Sequence, residues 1–183
     1  MLYLPNNQWL SLAALEQYEL SSTQLLWLSH QDSMTRLIRA HCQSEFALEV
    51  ITEGMKRPYQ SEIDTLAIAS DEAYVREVKM IADEADWLYG RSIFPHGSLD
   101  GDGDAVKQLG SKPLGRLLFK DNLKPRESIE VALLSPDHEL LSGAPLGESN
   151  DQSLLARRSL FRYHDRQVLV QEVFLPDHPL YNK

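Results

Sequence analysis

A single cysteine, Cys42, is all the thiol this chain holds. An internal disulfide framework is therefore excluded, and the composition is compatible with a reducing cytoplasm. No apolar run approaches the length of a membrane span, and the opening Met1-Leu-Tyr-Leu-Pro5 is no secretory signal. Positive charge is scarce: 18 Lys and Arg stand against 27 Asp and Glu, a net charge of −9. That balance argues against a general nucleic-acid surface, which needs a basic stripe. It still admits an anionic small molecule, because one arginine in a dry pocket outweighs a distant surface field. No G-x-S-x-G elbow, P-loop or dinucleotide fingerprint occurs, and the histidines show no H-x-x-x-H spacing. Asp100-Gly-Asp-Gly-Asp104 imitates the start of a calcium loop. However, Ala105 and Ser111 stand where that loop needs its glycine and its bidentate glutamate. A flexible turn is expected there, and neither a metal nor an organic cofactor is expected anywhere.

What is present points to one domain spanning residues 1–183, since 183 residues with 43% hydrophobic content can bury a sizeable core. The first part reads helical: an amphipathic piece over Trp9–Leu20, a second capped by Ser22 or Thr23, and a third starting at Asp32 or Ser33. Phe46–Ile51 is a strand candidate, and Met55–Ser70 has no sustained period. Tyr74–Ile81 and Trp87–Phe94 alternate as strands and are joined by the short polar loop Ala82–Asp86, as in a hairpin. Short helices are expected over Asp104–Leu109 and after Pro113. Ser128–Leu134, Leu154–Tyr163 and Val168–Pro176 add three β segments, with His164-Asp165 turning the last two. Helices early and strands late, with hairpin-length connections, predict an α+β fold: a mainly antiparallel sheet of about six strands with helices packed on it. The proline- and glycine-bearing segment 135–152 reads as a surface-loop insertion between neighbouring strands.

Two charges sit where alternation predicts apolar company. A strand sends alternate side chains to opposite faces, so Glu172 shares a face with Val168, Val170 and Phe174. An unpaired carboxylate there is costly, which makes Glu172 a candidate acid or base. Arg76 is likewise the only charge among Tyr74, Val78 and Met80. Its donor fork suits a carboxylate. A structural Arg76–Glu172 ion pair, or Arg76 reaching solvent, explains the same pattern. Two helix starts add free amides: Met34 after the Asp32-Ser33 cap, and Leu114 after Pro113. Such N–H groups bind oxygen ligands, and ordinary capping satisfies them equally well.

These segments carry a resemblance. D-S-M-T at 32–35, V-R-E-V at 75–78, W-L-Y-G-R-S at 87–92, L-G-S-K-P-L-G-R at 109–116 and Q-E-V-F-L-P at 171–176 resemble, in order, the chorismate pyruvate-lyase family. The resemblance implies a bacterial cytoplasmic enzyme of ubiquinone biosynthesis. It would convert chorismate to 4-hydroxybenzoate and pyruvate without a cofactor, as a monomer free of nucleic acid and membrane. It also implies that Arg76 and Glu172 are the catalytic pair. Arg76, aided by the Met34 amide, would hold the ring carboxylate, and Glu172 with the Leu114 N–H would hold the hydroxyl. Arg91 is the candidate for the enolpyruvyl carboxylate, and Arg157 is a further cation to consider should Arg76 not anchor the ring. The rival reading is a non-catalytic effector-sensing domain for a small aromatic carboxylate. The roughly thirty residues ahead of D-S-M-T are too few for the DNA-binding domain such sensors carry.

Overall fold

A computed structural model describes residues 3–69, 71–99, 104–119, 126–147 and 150–182. In chain order the strands and α-helices are β1 (Leu10–Ser11), α1 (Ser22–Leu28), α2 (Met34–His41), β2 (Phe46–Lys56), α3 (Gln60–Leu66), β3 (Ala73–Ala82) and β4 (Ala85–Pro95). Then follow α4 (Asp104–Lys107), α5 (Gly115–Leu118), β5 (Arg126–Leu134), β6 (Leu154–Tyr163) and β7 (Arg166–Phe174). The strands form one sheet in the order β1-β5-β6-β7-β4-β3-β2, each neighbour antiparallel. The α+β class and the antiparallel sheet agree with the expectation, and the seventh strand is the two-residue β1.

Turn chemistry pins the hairpins. Asp83 and Glu84 both adopt positive φ, 52° and 65°, the left-handed pair that matches strand twist in a two-residue hairpin. The Asp83 carboxylate also accepts the backbone N–H groups of Gln43 and Ser44 at 2.8 and 2.7 Å, tying β2's approach to that turn. At the other hairpin Tyr163 pairs with Arg166, leaving His164-Asp165 as the turn, as anticipated.

Helices cover both faces of the sheet. On one face α1 and α2 pack Trp27, Leu28, Met34 and Ile38 against Val78, Met80 and Phe174, all buried. On the opposite face Leu66 of α3 packs on Val75, Ile93 and Leu169. The cavity described below lies on the first face.

Three expectations are corrected. Trp9–Leu20 is not an α-helix: Leu10 pairs with Val131 on the sheet edge, and only a 3-10 helix follows at Leu12–Gln17. Edge pairing takes the backbone groups that a helix would have used. Met55–Ser70 is not irregular, since β2 runs to Lys56 and α3 follows. The buried residue of α3 is a carboxylate, Glu62, so no apolar period marks the helix. Segment 135–152 does join two neighbouring strands, but it is more than a surface loop. Leu140 and Leu141 are buried against Tyr89 and Val173 on the second face. Of the calcium-like motif, residues 100–103 lie outside the described residues.

Candidate functional site

Alternation along three central strands builds the site. Arg76, Val78 and Met80 of β3, Gly90 and Ser92 of β4, and Val170 and Glu172 of β7 all line one cavity. Met34 from α2 and Leu114, Gly115 and Leu118 around α5 close it from above, together with Phe119, Arg126 and Phe161. Four of the five residues singled out from sequence, Met34, Arg76, Leu114 and Glu172, thus meet in one place.

Register fixes their spacing. Glu172 sits opposite Gly90, which sits opposite Val78, while Arg76 sits opposite Ser92. Arg76 and Glu172 are therefore two strands and two residues apart on one face. At about 4.8 Å per strand and about 3.4 Å per residue, their Cα atoms are on the order of 12 Å apart. Gly90 and Ser92 between them are small. A Cβ on Gly90 would lie 3.1 Å from Val78 Cγ2, so its absence keeps that floor open. Between the two charged groups the cavity is lined by Val78, Gly90, Ser92 and Val170.

Arg76 and Glu172 do not pair with each other. Arg76 Nε lies 3.3 Å from Glu53 Oε2, its cross-strand neighbour on β2. Arg76 Nη2 donates to the carbonyls of Gly110 and Lys112 at 2.6 and 3.3 Å. Gly110 takes φ +52°, a left-handed conformation that suits glycine, and its carbonyl meets Arg76. Burial lowers the Arg76 pKa and Glu53 opposes that shift. Glu172 is instead held by Arg157, directly opposite on β6, whose Nε donates to Oε2 at 2.5 Å. Arg157 Nη1 also donates to the His30 carbonyl at 2.7 Å.

Arg126 completes the charged lining. Its Nη1 donates to the carbonyls of His30 and Gln31 at 3.0 and 2.7 Å, and its guanidinium lies over the Phe161 and Phe119 rings. Burial, then the nearby Arg157, brings its pKa down to about 10. Among the described residues, buried N–H donors without a hydrogen-bond partner remain on Arg126 (Nε) and Arg157 (Nη2), whereas Arg76 Nε has its ion-pair contact with Glu53. Two unpartnered guanidinium donors beside Glu172 are the kind of feature that an anionic oxygen ligand would satisfy.

Arg91 does not belong here. With Gly90 and Ser92 facing the cavity, the pleat turns Arg91 to the opposite face. There its Nε and Nη2 donate to Glu62 at 2.7 and 3.0 Å and its Nη1 to Glu77 at 2.5 Å. The Tyr59 ring stacks on it with 4.0 Å to the centroid. Burial works against that charge, but the two carboxylates outweigh it and raise its pKa. Arg91 is a structural ion, corrected from the expected anchor. Conversely, the cavity's Arg126 stands outside the residues that the sequence singles out, and Arg157 is the partner of Glu172, a pairing that the sequence does not show. Alternation along β6 places Arg157 with Leu155, Ser159 and Phe161, so its signal was legible. Arg126 heads its strand, where periodicity says nothing.

The chain is thus an α+β domain whose antiparallel sheet and covering helices enclose a cavity with Arg76, Arg126 and Glu172 in its lining. Similar sheets occur in a transcriptional regulator of the GntR family from Bacillus cereus (TM-score 0.53, 16% identity, 73% of this chain and 94% of that one). The ligand-binding domain of a putative GntR-family regulator from Bordetella bronchiseptica is similar too (TM-score 0.52, 15% identity, 74% and 87%). At such identities the likeness concerns the fold. Sequence similarity goes further. The chain is 34% identical over 181 residues to chorismate pyruvate-lyase of Yersinia enterocolitica, covering 96% of this chain and 92% of the relative. It is 34% identical over 163 residues to that of Erwinia tasmaniensis, covering 88% and 83%. Residues 3–183 match the family described as chorismate lyase, and the chain belongs to that family.

Proposed function

We propose that this chain is a chorismate pyruvate-lyase, releasing 4-hydroxybenzoate and pyruvate from chorismate. The observation that supports this best is the spacing of Arg76 and Glu172 across the cavity. A ring with a carboxylate at one end and a hydroxyl at the other spans that gap.

The residues divide the work. Arg76, with the N–H of Met34 at the start of α2, holds the ring carboxylate. Glu172 accepts from the retained hydroxyl, and the Leu114 N–H donates to the same oxygen. In this reading Glu172 also receives the proton from the hydroxyl-bearing carbon. That C–H electron pair becomes the new ring double bond as the neighbouring C–O bond to the enolpyruvyl group breaks. The enolpyruvate takes a proton and tautomerises to pyruvate. Aromatisation makes the step strongly downhill, so positioning matters more than a powerful reagent. Arg157, fixed by the His30 carbonyl, holds one oxygen of Glu172 and aims the other. None of these steps asks for a metal or an organic cofactor, and full activity is expected after exhaustive chelation.

The protein is read as a monomer of the bacterial cytoplasm, and among its described residues no helix is long and apolar enough to cross a membrane. The deciding assay is purified protein with chorismate, followed by chromatography. Appearance of 4-hydroxybenzoate and pyruvate is the expected result. Chorismate bound but unchanged would assign a sensor domain instead.

A further inference from the structure

Charge is distributed unevenly along the cavity face. Following the strand order from β2 to β5, the groups are Glu53, Arg76, the uncharged β4 floor, Glu172, Arg157 and Arg126. Arg76 is answered by Glu53, and Glu172 by Arg157. Among the described residues Arg126 forms no ion pair. Its direct contacts are neutral, two carbonyls and two aromatic faces. On the Glu172 side of the cavity Arg126 is thus a half-buried positive charge that feels Glu172 and Asp32 only at longer range, and its Nε is a buried donor without an acceptor among the described residues.

The substrate has a complementary excess. Chorismate is a dianion, and its second carboxylate belongs to the ether group on the ring carbon next to the hydroxyl. With the ring carboxylate at Arg76 and the hydroxyl at Glu172, that ether group must lie on the Glu172 side. Arg91 is spent on the opposite face with Glu62 and Glu77. We infer that Arg126 binds the carboxylate of the substrate's ether side chain, and so distinguishes the dianionic substrate from the monoanionic aromatic product. The inference rests on the lyase reading for the identity of the ligand.

Two further features fit a ligand contact. The Phe161 and Phe119 rings lie 4.8 and 5.5 Å from the guanidinium, holding it flat and dry, where a bidentate anion gains most. Burial and the neighbouring Arg157 hold its pKa down to about 10, and an arriving carboxylate would relieve that strain. Cleavage converts the bound dianion into two separate monoanions. Arg126 would then let the aromatic product go without having favoured it.

The test compares two unreactive ligands by calorimetry: 3-(carboxymethoxy)benzoate, which carries both carboxylates, and 3-methoxybenzoate, which lacks the second. The parent should prefer the dianion. Arg126→Gln should weaken the dianion about 30-fold or more, the scale of losing a buried charge partner. It should change 3-methoxybenzoate by less than about threefold, and Arg126→Lys should recover part of the loss. With turnover, KM for chorismate rises while inhibition by 4-hydroxybenzoate stays put. Equal losses for both ligands, or a parent without preference, overturn the inference. Should Arg126→Gln fail to fold, the Lys variant carries the same contrast, and full dianion affinity in a variant without the fork is then the overturning result. Failure of the parent to turn over chorismate would sink the lyase reading. The binding contrast would still report on Arg126.

Discussion

Arg157 and Glu172 face each other across β6 and β7, with Nε and Oε2 2.5 Å apart and Arg157 wholly inaccessible to solvent. This pair governs how the central carboxylate must be tested. Truncation to Ala removes the reacting group and also strands a buried guanidinium, a loss of about 3–5 kcal/mol when one partner of a buried pair is deleted. Glu172→Gln keeps the shape and an acceptor oxygen. Expected outcomes are a kcat at least about 100-fold lower for Glu172→Gln, with a melting temperature lowered by the lost counter-charge of Arg157, and a further drop in melting temperature for Glu172→Ala. A Gln variant turning over at the parent rate would remove Glu172 from the mechanism.

Anchoring is separable from chemistry. Arg76→Ala should weaken 4-hydroxybenzoate by roughly 2–4 kcal/mol, as expected when a buried charge loses its partner. Arg76→Lys should recover part of this, because an ammonium lacks the fork. The neutral analogue 4-hydroxybenzamide should bind poorly to the parent and lose less on the same change. Calorimetry on both ligands and both proteins makes a double cycle that isolates the charge contribution. Equal losses for acid and amide would mean that Arg76 shapes the pocket only.

Much of this site was legible in the sequence because a sheet translates alternation into faces. One face of residues 74–80 and one face of residues 168–174 each carry a single charge among apolar neighbours, and both charges do face the cavity. The pairing was not legible. Whether Arg76 meets Glu172 or Glu53 depends on strand order, and β7 and β3 are separated by β4. Arg91 was misplaced because its motif neighbours Gly90 and Ser92 have side chains too small to announce which face is the cavity. Helix α3 escaped notice because it buries Glu62 in an ion pair, leaving no apolar stripe. The 3-10 helix of Leu12–Gln17 followed an apolar pattern whose first residues were claimed by the sheet edge.

The approach to the site carries a charge pattern of its own. A cleft bordering the cavity shares Ser33, Thr35, Gly115 and Phe119 with it and adds Arg36, Arg39 and Arg116. All three arginines are exposed, on a chain whose net charge is −9. Such a local positive mouth steers a dianion, and salt screens it. Replacing all three with Gln should lower kcat/KM roughly tenfold at low ionic strength, flatten its salt dependence and leave kcat near the parent value. Identical salt dependence in the two proteins would show that the arginines do no steering.

The covered second face makes its own demand. A Cβ on Gly143 would lie 2.6 Å from the Tyr89 hydroxyl and 2.8 Å from Glu77 Oε1, inside the Tyr89–Glu77–Arg91 cluster. Gly143→Ala should therefore cost about 1–3 kcal/mol of stability, as overpacking does. Gly147, with nothing within 4 Å of an added Cβ, is the matched control and should tolerate Ala with little change. Denaturant melts of the two variants read the contrast. Equal stability would mean that segment 139–143 shifts freely, against its packing through Leu140 and Leu141.

Acid should unfold the protein through His178. This imidazole is fully buried, with Trp27, Phe174 and Trp87 centroids at 4.4, 4.9 and 5.3 Å, and its Nδ1 accepts the Leu180 N–H at 3.0 Å. Burial, then His41, pushes its pKa down to about 3. Between that value and the ordinary 6.5, the unfolded chain binds a proton that the folded one refuses. Stability therefore rises with pH across this window and is lost on acidification, by up to about 1.4 kcal/mol per pH unit from this group. His30 and His138, also lowered by burial, act in the same direction. Protonation at Nδ1 would remove the acceptor that caps the turn at Pro179–Tyr181, so the last turn should loosen first. In His178→Asn the side-chain oxygen can still accept from Leu180 but does not titrate. Denaturant melts at pH 7, 6, 5 and 4 should show a shallower loss for this variant than for the parent. Parallel slopes would place the acid sensitivity elsewhere.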